Sequence, residues 1–84
     1  MEKKEKSLSE LSCGELGIVS DITADLGMRR RFMDIGCIVG SGIQKLGAGP
    51  FGDPSAYLIC GAVIAIRKKD AASIRVVASE SQNG

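Results

Sequence analysis

The chain has 84 residues, enough for one domain; at that size roughly 60–65% of the unfolded surface is buried, which leaves little depth for an active-site cleft. Eleven Lys and Arg against ten Asp and Glu give a net charge of +1, so the overall charge gives no ground for non-specific nucleic-acid binding. Hydrophobic residues at 44% and charged residues at 25% are those of an ordinary globular protein, and no apolar run nears the ~20 residues of a membrane-spanning helix.

Residues 1–7 read as a charged flexible tail and residues 79–84 as a polar one, so the folded domain is expected over residues 8–78. The start, Met1-Glu2-Lys3-Lys4-Glu5-Lys6, has no apolar stretch of the kind a secretory signal needs. Three cysteines, Cys13, Cys37 and Cys60, stand far apart with no C-x-x-C pair. An odd count without a signal sequence points to reduced thiols in the cytoplasm.

Leu8-Ser9-Glu10-Leu11 leads into a turn at Cys13-Gly14-Glu15. Leu16–Ile22 reads as a first strand with Leu16, Ile18 and Ile22 on one face; Ser20 on that face marks a strand end or a bulge. A short helix is expected over about residues 25–35, capped by Thr23 or Asp25. Met28, Phe32 and Ile35 recur at i, i+4 and i+7, an apolar stripe for the core. Gly36 stands where a helix end favours a left-handed residue.

Gly42–Leu46 is a second strand. Residues 47–54 hold three glycines and two prolines and form a loop. Ser55–Cys60 and Ala62–Ile66 are strands around a tight bend at Gly61. Lys68–Ala72 is a short turn, and Ser73–Val77 a fifth strand with Ile74 and Val76 inward. About five short strands with one inserted helix make a small, mainly β barrel, SH3-like or OB-like.

Chemistry finds little support. The chain has no histidine, the commonest general base near neutral pH, and no nucleophile-elbow, P-loop or dinucleotide-binding pattern. A structural zinc site takes four Cys or His ligands in close pairs, which three separated cysteines do not supply; a weak transition-metal site built from carboxylates and thiols stays open. The basic clusters are Arg29-Arg30-Arg31 and Arg67-Lys68-Lys69. They read either as solvated faces balanced by Asp34 and Asp70 or as a docking patch. Three aromatic residues in all, Phe32, Phe51 and Tyr57, weigh against base stacking and against a proline-rich-peptide groove.

In order along the chain, four motifs carry a resemblance. They are Leu8-Ser9-Glu10-Leu11 with Gly14-Glu15, Gly17 and Val19; Arg30-Arg31-Phe32-Met33-Asp34-Ile35-Gly36 with Gly40 and Ile43; Gly52-Asp53-Pro54; and Gly61 to Val76 with Ile66-Arg67-Lys68, Ala71 and Ile74. Together they resemble the FeoA family of bacterial ferrous-iron uptake accessory proteins. Cys13 and Val39 depart from it where proline is frequent, and Ala62 where an aromatic is common. The resemblance implies an SH3-like barrel in the cytoplasm, at the inner membrane face when bound. It implies no enzyme activity and a partner, the FeoB membrane permease with its cytosolic GTPase domain. It also implies likeness to the C-terminal domain of iron-dependent repressors, the source of a transition-metal-binding label. On this reading the partner-binding surface is Arg29, Arg30, Arg31 and Met33 on the helix with Phe51, Gly52, Asp53 and Pro54 in the loop, and no cofactor, catalytic or metal residue is assigned. A metal-responsive SH3-like sensor module is the alternative.

Overall fold

The computed structural model describes residues 5–78. Its elements are β1 (Glu5–Ser7), a 3₁₀ turn (Leu8–Glu10), β2 (Leu16–Ile22), α1 (Leu26–Asp34), β3 (Gly42–Ala48), β4 (Ser55–Ile59), β5 (Ala62–Ile66), α2 (Lys68–Ala71) and β6 (Ile74–Ala78). All pairings are antiparallel, and the strands form one sheet in the order β1-β6-β2-β3-β4-β5. The fold is mainly β, as expected, with six strands in place of about five.

The extra strand is β1, which begins inside the segment expected to be tail. Charge alone suggested a mobile end, but Glu5, Lys6 and Ser7 pair with Val77, Val76 and Arg75 of β6. Their side chains explain how charged residues hold a strand. Lys6 reaches Glu15 at 3.0 Å, Glu5 faces Arg75 at 3.8 Å, and the Ser20 hydroxyl donates to Glu5 Oε2 at 2.6 Å. The remaining tail residues, 1–4 and 79–84, lie outside the described residues.

The β2 face is the reverse of the expected one. Gly17 and Val19 point inward, whereas Leu16 and Ile18 are exposed. The register with β6 slips between Val19 and Asp21, so Ser20 is a bulge residue. A bulge adds one residue and flips the alternation, which lets both Val19 and Ile22 face the core. Simple period-2 counting back from Ile22 therefore gives the wrong face for the first half of the strand.

Helix α1 follows its sequence signals closely. Asp25 caps it, its Oδ1 accepting from Met28 N at 2.9 Å. Phe32 is buried, with Met28 and Ile35 packed beside it on the core of Val19, Ile43, Tyr57 and Ile59. Gly36 ends the helix at φ +87°, and a Cβ there would stand 2.6 Å from Cys60 Sγ. That contact ties the helix end to the β4–β5 hairpin, whose two turn residues, Cys60 and Gly61, have φ of +50° and +81°. Positive φ at both central residues is the type I′ geometry that matches strand twist. Cys60 is exposed because the turn carries it, whereas Cys37 is buried.

Candidate functional site

The inner faces of α1 and β5 do not close on each other completely. Between them runs an open groove of about 510 Å³. Met28, Phe32 and Ile35 form one wall and Ile64, Ala65 and Ile66 the other, with Arg31, Arg67, Lys69 and Asp70 around the rim. The walls arise from periodicity: the helix stripe faces in every three to four residues, and Ile64 and Ile66 are the alternate inward positions of β5. The short α2 turn follows β5 directly and brings Lys69 and Asp70 to the rim.

The rim cations are unbalanced. Among the described residues the ion pairs are Lys6–Glu15 and Glu5–Arg75, both on the β1 side. None involves Arg30, Arg31, Arg67, Lys68 or Lys69. The expectation that Asp34 and Asp70 balance these charges is not met in the described residues.

The sequence-predicted helix residues do not form one row. Helical residues step by about 100°, so three consecutive arginines fan around the axis. Arg31 turns to the groove. Arg29 turns the other way and its guanidinium donates to the Ile22 carbonyl at 3.0 Å, a structural tie between α1 and β2. Arg30 and Met33, the latter 60% exposed, lie on the outer surface. In the loop, Phe51 is 94% exposed, and Gly52, Asp53 and Pro54 are exposed beside it. Asp53 Oδ1 accepts from Lys68 N at 2.8 Å, which anchors this loop to the start of α2 next to the groove rim. Arg31 lines the groove and the loop is tied to α2 at Lys68, next to the rim residue Lys69, while Arg29 joins neither. The groove residues that sequence reasoning left out are Ile64, Ile66, Arg67 and Lys69. Arg67-Lys68-Lys69 was visible as a charge cluster, but its convergence with Arg31 depends on the fold.

Two thiols lie near the helix end. Burial, and then the neighbouring Cys60, push the Cys37 thiol up to about 11, so it stays protonated and a poor ligand at neutral pH. Cys60 Sγ makes a 3.6 Å contact with the Gly36 carbonyl. Among the described residues no group of three Cys, Asp or Glu converges as a metal site would need, and the chain has no histidine. Among the described residues the donor set does not fit a resident transition metal.

The family model described as FeoA domain matches residues 6–78. The chain belongs to the FeoA family. Solved FeoA structures agree. The FeoA protein of Chlorobium tepidum is 32% identical with a TM-score of 0.84, the match covering 93% of this chain and 74% of that one. A FeoA-like protein of Clostridium acetobutylicum is 30% identical with a TM-score of 0.84, covering 100% of this chain and 96% of that one. The zinc-complexed FeoA of Stenotrophomonas maltophilia, described as an SH3 domain protein and a possible ferrous-iron transport activating factor, is 24% identical. Its TM-score is 0.73, with coverage of 83% and 87%, and it supports the SH3-like fold. Comparison with curated proteins returned no match. As a FeoA protein the chain is linked to ferrous-iron transport, and among the described residues no helix is long and apolar enough to cross a membrane.

Proposed function

We propose that this FeoA protein is a non-enzymatic adapter of ferrous-iron uptake that acts in the cytoplasm by docking on the FeoB permease, at its cytosolic GTPase domain. The observation that carries the reading is the set of cations Arg31, Arg67 and Lys69 gathered around an apolar groove, none of them in an ion pair among the described residues. A rim of three cations against one carboxylate, Asp70, around an apolar floor favours a protein partner of net negative charge: the cations steer the encounter and the apolar floor supplies most of the affinity. Arg31, Phe51, Gly52, Asp53 and Pro54 stay in the proposed contact surface with Arg30 and Met33 at its margin. Arg29 is assigned to holding α1 on β2.

Titrating the permease's cytosolic domain into the labelled chain tests this. Binding should weaken steeply with added salt and about tenfold or more on the double change Arg31→Glu and Arg67→Glu. Unaltered binding would remove the groove from the interface. The metal-sensor alternative predicts heat on titrating manganese or ferrous iron under reducing conditions, and the donor set described above disfavours it.

A further inference from the structure

An open sheet has two edges, and here they are treated differently. Among the described residues the β1 edge is Glu5–Ser7, with Glu5 and Lys6 both engaged in ion pairs. Short, charged edges resist further strand pairing. The other edge is β5, Ala-Val-Ile-Ala-Ile, with no charge and no proline. Its outer side chains are exposed, Val63 by 65%.

The free backbone groups of β5 can be assigned. Ile59 and Ala62 flank a two-residue turn, and such a pair exchanges both hydrogen bonds. Alternation along the register then makes Tyr57–Ile64 and Ser55–Ile66 the other bonded pairs. The N–H and C=O groups of Val63 and Ala65 therefore point away from β4. Among the described residues neither makes a backbone hydrogen bond outside the ladder. This edge is also one lip of the groove, since Ile64 and Ile66 line it.

We propose that β5 accepts an extended acidic segment of a partner protein as an added strand. Its main chain pairs with Val63 and Ala65. Its apolar side chains, one at every second residue, enter the groove between Ile64 and the Met28–Phe32 wall. Its carboxylates, carried just beyond the paired residues, meet Arg31, Arg67 and Lys69 at the rim. Main-chain pairing gives such complexes affinity, and the pockets for alternate side chains give them specificity. A second copy of this chain is the poorer occupant, because its own β5 carries no carboxylate and brings Arg67, Lys68 and Lys69 toward the same rim. The proposal deepens the docking reading and rests on it for the source of the strand.

The probe is a capped peptide of alternating Val and Ser, the length of β5, flanked at each end by two Glu. Binding should slow amide exchange at Val63 and Ala65. N-methylation along one backbone edge of the peptide should weaken binding about tenfold or more, and along the other edge should leave it nearly unchanged. Ala65→Pro, which removes an edge-facing N–H and spares the β4 ladder, should weaken it similarly. The proposal is overturned by any of four results: no binding at millimolar peptide, equal sensitivity to methylation on both edges, equal binding of the peptide with Lys in place of the flanking Glu, or a dimer of the free chain that Ala65→Pro abolishes. The permease's cytosolic domain separates the two readings. If that domain binds but neither the peptide nor Ala65→Pro affects it, strand addition fails and docking stands. If it does not bind while the peptide behaves as stated, docking fails and the β5 edge assignment stands.

Discussion

Gly36→Ala tests how the end of α1 is braced on the β4–β5 turn. Gly36 ends α1 at φ +87°, and an added Cβ would lie 2.6 Å from Cys60 Sγ and 3.3 Å from Cys60 Cβ. A left-handed backbone costs an alanine roughly 1–2 kcal/mol. Cys60 has one side-chain torsion with which to escape the new methyl, and pushing it off its rotamer adds about 0.5–1.5 kcal/mol. The total, about 1.5–3.5 kcal/mol, should lower Tm by roughly 6–28 °C for a domain of this size. Gly40→Ala is the internal control, because φ there is +97° with nothing within 4 Å of the added Cβ. It should cost the backbone part alone. Adding Cys60→Ala to Gly36→Ala should recover most of the difference. Calorimetric melts of the three variants decide it. Equal losses for Gly36→Ala and Gly40→Ala, or no recovery in the double variant, would refute the claim that the helix end is braced on the β4–β5 turn.

Asp53→Ala should cost about 1 kcal/mol by freeing the first N–H of α2, measurable as a lower urea midpoint with unchanged slope. Phe51→Ala should change stability by less than about 0.5 kcal/mol, since the ring is 94% exposed, while weakening capture of the permease's cytosolic domain. The Ser12 N–H at 2.8 Å, with the Lys6 ammonium adding to it, holds the Glu15 carboxyl below its ordinary value despite some burial. A depressed folded pKa gives stability that is present above the unfolded value, about 4.5, and lost as pH falls through the folded one. Glu15→Gln should therefore flatten the acid limb of the stability profile below about pH 4.5 and leave its shape near neutrality unchanged. A maleimide at pH 8 should label Cys13 and Cys60 in the native protein and reach Cys37 only on unfolding, read by mass spectrometry.

The helix was legible because its signals are local. Asp25, the Met28–Phe32–Ile35 stripe and Gly36 lie within a dozen residues and all point to the same boundaries. The β4–β5 hairpin was legible for the same reason, with Gly61 marking it. The β2 face was not, because a bulge at Ser20 changes parity without any residue that announces it. Nor was β1, whose charges read as tail until Glu15, Ser20 and Arg75 supply partners from elsewhere in the chain. The site was half legible. Arg31 and the Phe51–Pro54 loop were within reach, and so was the basic run after β5. The meeting of Arg31 with Arg67 and Lys69 around one groove depends on β5 lying beside α1, which brings together residues more than thirty positions apart. Arg29 shows the converse. In sequence it is one of three like arginines, and only its bond to the Ile22 carbonyl separates its role from theirs.

The central claim is that the groove between α1 and β5, with its unbalanced cations, is where this FeoA protein meets its partner. The most direct measurement is amide chemical-shift mapping of the ¹⁵N-labelled chain against the permease's cytosolic domain at low and at high salt. The account predicts perturbations centred on Arg31, Val63, Ala65 and Arg67 that fade as salt rises. Perturbations centred on β1 and the β2 face, or a groove unaffected by the partner at low salt, would contradict it.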